Sequence, residues 1–86
     1  MHAFKHTITI NKTELVFCFS KIAGCTLDKY FVEVLHGDRL VTTFDMAKEE
    51  TAGWKILPPA REWIIEMKKE LAAIANQHQT WKKEAA

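Results

Sequence analysis

Glycine is scarce in this chain, three residues in 86, which leaves no run from which a phosphate-cradling loop is built. Neither a nucleophile-elbow pattern nor an H-E-x-x-H metal motif occurs. The two cysteines, Cys18 and Cys25, lack the C-x-x-C spacing of redox and zinc motifs. Both are expected to be reduced thiols, since a bridge between them across a hairpin would matter only in an oxidising compartment. No apolar run approaches the roughly 20 residues of a membrane span, and the opening MHAFKH lacks the apolar core of a secretion signal. No membrane partner and a cytoplasmic location are therefore expected, and the sequon Asn11-Lys12-Thr13 is read as a chance match. Charge of one sign is missing too: 12 basic and 11 acidic side chains give a net charge of +1. Whole-molecule steering of a polyanion is not expected from that balance.

What is present is the composition of a folded domain, with 48% hydrophobic residues. A single domain spanning residues 1–86 is expected. At this length only about 60–65% of the unfolded chain's surface can be buried, so a second copy would help to stabilise it.

Strand periodicity occupies the first half. Phe4, His6, Ile8 and Ile10 alternate with Lys5, Thr7 and Thr9, and after the turn residues Asn11-Lys12-Thr13 a second run from Glu14 to Ile22 sets Leu15, Phe17 and Phe19 against Val16, Cys18 and Ser20. The segment 21–27 loses the alternation and carries Gly24, so a loop is expected there. From Asp28 to Leu35, Tyr30, Val32 and Val34 oppose Phe31, Glu33 and Leu35. His36-Gly37-Asp38-Arg39 then signals a tight hairpin, because Gly37 accepts the positive φ of a primed turn. A fourth strand from Leu40 to Met46 follows, with Leu40, Thr42, Phe44 and Met46 opposed to Val41, Thr43 and Asp45.

Residues 47–53 read as a polar connector, with room for one helical turn. Trp54 to Leu57 is extended at its end because the residue before a proline is pushed out of the helical region. One of Pro58 and Pro59 suits a first helical turn. Ala60, Trp63, Ile64, Met67, Leu71, Ile74 and Ala75 recur at three- and four-residue intervals, and the stripe extends to His78 and Trp81. A helix from Pro59 to about Lys83 would be roughly 37 Å long, enough to overhang a four-stranded sheet.

The expected fold is thus α+β, a four-stranded antiparallel meander followed by one long C-terminal helix packed on one face, in the order ββββα. Leu15, Phe17, Phe19, Val32, Val34, Leu40 and Phe44 should lie beneath the helix. Val16, Cys18, Phe31, Leu35 and Val41 should lie on the other face with Thr7, Thr9, Glu33, Thr43 and Asp45. An apolar patch of that kind marks an interaction site.

Chemistry-bearing clusters are thin. His2 and His6 would stand roughly 13 Å apart along a strand, too far for one metal ion. His36 reads as a solvated turn residue. Glu49-Glu50 and Glu62/Glu66 read as solvated faces, with no catalytic partner assignable. No catalytic residue, metal or cofactor is expected, and the chain is read as a non-enzymatic interaction domain acting as a homodimer. Its contact would use either the overhanging helix (Leu71, Ile74, His78, Trp81) or the uncovered sheet face (Val16, Phe31, Leu35, Val41). Trp81 with Lys82-Lys83 could also meet a lipid surface or an acidic partner, though the two lysines equally complement the negative end of the helix dipole.

The order ββββα also resembles that of the transcriptional coactivators and related small regulators that bind single-stranded DNA on a curved sheet and dimerise through their helices. The resemblance is one of element order over most of the chain. It implies a single-stranded nucleic-acid partner on the open sheet face, held by basic and aromatic side chains. The candidates are Lys5, Lys12, Lys21, Lys29, Phe31, Arg39 and Trp54. Trp54 has a second reading: with Trp63 it is the hinge that docks helix onto sheet, as large aromatics are most often core.

Overall fold

The computed structural model describes residues 3–22, 28–49 and 53–85, and side chains as far as Gln77. One antiparallel sheet runs in sequence order through β1 (Ala3–Ile10), β2 (Thr13–Lys21), β3 (Lys29–His36), β4 (Arg39–Glu49) and β5 (Gly53–Leu57). Two helical pieces follow, α1 (Glu62–Glu66) and α2 (Lys68–Ala85).

The class is α+β, but the ββββα arrangement needs correcting in two places. The sheet has a fifth strand, because β4 continues through Ala47, Lys48 and Glu49, which pair with Lys55, Trp54 and Gly53. A polar run followed by a five-residue strand offers too few alternations to show its period. The helix is also not one rod from Pro59. Pro58 and Pro59, joined by a cis peptide, both precede it, and Arg61 is the extended N-cap (φ −69°, ψ 149°). Its carbonyl accepts the first bonds, from the Ile64 and Ile65 amides at 3.0 and 3.1 Å. At Met67 (φ −90°, ψ 9°) the amide bonds back three residues to Ile64, overwinding the chain before α2 begins.

Hairpin geometry follows from the turn residues. Gly37 takes φ +63° between β3 and β4. Asn11 (φ 50°) and Lys12 (φ 65°) are both left-handed, as a two-residue type I′ connection demands. Asparagine tolerates that region, whereas lysine is strained in it.

The core lies on one face. Leu15, Phe17, Phe19, Tyr30, Val32, Val34, Phe44, Met46 and Trp54 from the sheet meet Ile64, Leu71 and Ala75 from the helices, all buried. Leu40 was expected in this set and is instead 57% exposed. The register shifts at Val34/Leu35, so Val34 faces Thr42 while Leu35 faces Leu40. The extra residue, Val41, forms a bulge that turns Leu40 to the opposite face.

Aromatic rings tie the covered face together. Phe4 stacks on Phe19 (4.7 Å between centroids, 11°), both rings meet Tyr30 edge-on at 5.5 and 6.0 Å, and Tyr30 lies 5.4 Å from Trp54. Trp54 is 3% exposed, and its indole Nε1–H donates to Asn76 Oδ1 on α2 at 3.0 Å. It is therefore the docking residue between the last strand and the helix.

Two substitutions test this account. Lys12→Gly should relieve the left-handed strain and raise stability by up to about 1 kcal/mol, seen as a higher urea midpoint at constant slope. Asn76→Ala should cost about 1 kcal/mol: a buried N–H that loses its partner costs ~1–3 kcal/mol, partly offset by the better helix propensity of alanine. Thermal unfolding should show the corresponding drop in Tm.

Candidate functional site

The middle of the sheet face away from the helices is laid out by strand register in three rows. Thr7, Val16, Leu35 and Leu40 form one, Lys5, Cys18, Glu33 and Thr43 the next, and Ala3, Ser20, Phe31, Asp45 and Leu57 the third. Alternation places these side chains together on one surface. Phe31 (37%), Leu40 (57%) and Val41 (38%) are exposed large apolar residues, and Val16, Leu35 and Leu57 are half-buried.

Much of the charge on this face is matched. Lys29 Nζ lies 3.8 Å from Asp45 Oδ2, and Lys55 Nζ 3.9 Å from Glu49 Oε1. Such exposed pairs stabilise by at most about 1 kcal/mol each, but they leave little net field. Among the described residues Lys5 and Glu33 have no ion-pair partner.

The structure brings together Val16, Phe31, Leu35 and Val41, the sheet residues expected at a dimer contact, and adds Leu40 and Leu57. No sequence pattern signalled either addition, because one depends on the bulge and the other on β5. The helix set fares differently. Leu71 is fully buried and Ile74 packs half-buried against the core, so neither is presented to a second molecule as a bare surface. The side chains of His78 and Trp81, and with them any overhanging contact, lie outside the described residues. Cys18 is a free thiol on the open face, while Cys25 and His2 lie outside the described residues.

The residues considered for nucleic acid are dispersed. Lys5 and Phe31 are on the open face, Lys12 and Arg39 at hairpins, and Lys29 is paired as above. Lys21 Nζ lies 3.6 Å from Asp28 Oδ1. Trp54 is under the helix, where no base can stack on it. Stacking needs an exposed ring beside a continuous basic track, and these positions do not form one.

Two open depressions lie among the described residues. One of about 530 Å³ lies between the hairpins, with Lys12, Glu14 and His36 on its rim. The other, about 340 Å³, lies between Thr42 and Thr43 of β4 and Pro59 to Arg61. Both are open to solvent, and among the described residues no ion pair joins Glu14 to His36 across the first. Among the described residues no three His, Cys, Asp or Glu side chains are grouped to hold a metal ion. No described helix is long and apolar enough to cross a membrane.

Among the described residues Tyr30 has a displaced titration. Burial pushes its phenol above the ordinary value; the Lys21 ammonium opposes that push and the Asp28 carboxylate adds to it. The ring sits in the core aromatic row rather than at a cavity, so the shift concerns stability. The folded chain holds this proton to higher pH than the unfolded chain does. Its contribution is therefore complete below the unfolded value of about 10 and is lost as pH rises above it. Urea titrations between pH 9 and 11.5 should show stability falling, and Tyr30→Phe should make that fall shallower. Comparison with protein-family models, with curated proteins and with solved structures finds no match to this chain.

Proposed function

We propose that this chain is a non-enzymatic interaction domain that acts as a homodimer, with the uncovered sheet face as its contact surface. The observation that carries the reading is the exposure of Phe31, Leu40 and Val41 on the same face as half-buried Val16 and Leu35. Solvating such a patch is unfavourable, at about 25 cal/mol for each Å² of apolar surface kept in water. Two further features support it. The matched lysine and acid pairs keep the face close to neutral, as a self-contact requires. A free Cys18 thiol on that face suits a reducing compartment, consistent with the cytoplasm.

The alternative, a single-stranded nucleic-acid partner on the same face, gains no support from the dispersed lysines or from buried Trp54. Sedimentation velocity over a micromolar concentration series tests the dimer. The wild-type chain should associate, and Phe31→Lys should weaken association by roughly 30-fold or more, the effect of a central contact residue worth about 2 kcal/mol. A monomer throughout the series would contradict the proposal. So would steeply salt-dependent binding of a single-stranded oligonucleotide, because that dependence is the mark of phosphate contacts.

A further inference from the structure

We infer that the second copy docks face to face about a two-fold axis running close to β3, so that Glu33 meets its own counterpart at the centre and sets the strength of association. This deepens the reading of the uncovered face as a contact surface and rests on it.

The register selects the axis. β3 is the middle strand of five, and a half-turn about a line along it lays β3 on itself, β2 on β4, and β1 on β5 of the other copy. Side chains in one row stay at one height. Phe31 therefore meets Phe31, Leu35 meets Leu35, Val16 meets Leu40, and Ala3 meets Leu57. Each of these apolar residues lands on an apolar residue. Ser20 meets Asp45, where its hydroxyl can donate to the carboxylate. An axis along β2 does worse: it sets Leu35 on Thr7 and leaves β4 and β5, with Leu40 and Leu57, uncovered.

The area is adequate as well. Five strands about 4.8 Å apart and about 26 Å tall present roughly 600 Å² per copy. Both copies together then bury ~1,200 Å², the lower bound of stable interfaces. Sheets packed face to face lie about 10 Å apart with strands within about 30° of each other, which keeps the row pairing near the axis. Half that overlap, as for an off-centre axis, would fall well short. Self-complementarity of this kind argues for a second copy of the chain rather than an unrelated partner.

Two charged residues of β3 meet their own kind across the axis: Lys29 does so with its ammonium 3.8 Å from Asp45 Oδ2, and Glu33 does so without a counter-ion. Glu33 stands between Phe31 and Leu35 on β3, and the two-fold places its carboxylate against another like it. Its row neighbours, Cys18 and Thr43, are uncharged. Asp45, on the adjacent row of β4, is engaged by Lys29. Lys5 is in the same row but two strands away, roughly 10 Å. Among the described residues no counter-charge sits beside the opposed carboxylates, so like charges lose solvent together, and that lowers affinity. A charge at the centre of the contact thereby holds the dimer weak and exchangeable.

The test combines a shape-preserving variant with a geometric trap. Glu33→Gln should lower the dimer dissociation constant at least about tenfold in sedimentation equilibrium. Leu35→Cys, in a chain whose Cys18 and Cys25 are replaced by serine, should be joined to its counterpart by a short bifunctional thiol crosslinker such as dibromobimane, since opposed Cα atoms about 10 Å apart are too distant for a direct disulfide. Phe31→Cys should be joined likewise, and Thr9→Cys should not; circular dichroism checks that each variant is folded. A dimer that Phe31→Lys disrupts, but that neither on-axis cysteine traps and Glu33→Gln does not tighten, would overturn this arrangement and leave the contact surface standing. Monomers throughout, Glu33→Gln included, would overturn both.

Discussion

Two helical pieces cover one face of a five-stranded sheet, and the bond between Trp54 and Asn76 fixes where α2 sits on it. The indole N–H is buried and needs an acceptor, and α2 supplies one only when laid over β5. Phe4, Phe19 and Tyr30 carry the aromatic packing from that point back to β1. Ile64, Leu71 and Ala75 then have a surface to bury against. Without β5 the helix would lack both its hydrogen-bond partner and its nearest strand.

Among the described residues the other face is left without cover, and the sequence has not made it wholly polar. Along β3 the outward residues are Lys29, Phe31, Glu33 and Leu35, an alternation of charge and bulk within a single column. A monomer's exposed sheet face usually carries threonine, lysine and glutamate throughout. Here the bulge at Val41 adds Leu40 to the exposed set. Local distortion of one strand thus enlarges the surface on which a second molecule can sit, which links a backbone irregularity to the proposed role.

The strands β1 to β4 were legible because each gives at least three alternations of an unmistakable kind, as in Leu15, Phe17 and Phe19. The two faces follow from the same period, which by itself groups Val16, Phe31, Leu35 and Val41. β5 was not legible, since Gly53–Leu57 offers two inward residues, Trp54 and Ile56, beside a proline pair that reads as punctuation. Leu40 was misplaced because a bulge changes parity without changing composition. The helical stripe was visible, yet its break at Met67 carries no glycine or proline to announce it. Trp54 and Trp63 illustrate the limit well: periodicity assigns Trp63 to the stripe, but only the long-range partner Asn76 decides the environment of Trp54.

The central claim is that molecules meet on the uncovered face and not on α2. The most direct test is a dilution series followed by methyl-resolved NMR, from about 1 mM to 10 µM. The account expects the methyl resonances of Val16, Leu35, Leu40 and Val41 to shift together with concentration while those of Leu71 and Ile74 stay fixed. Shifts confined to α2, or none on the sheet face at any concentration, would contradict it.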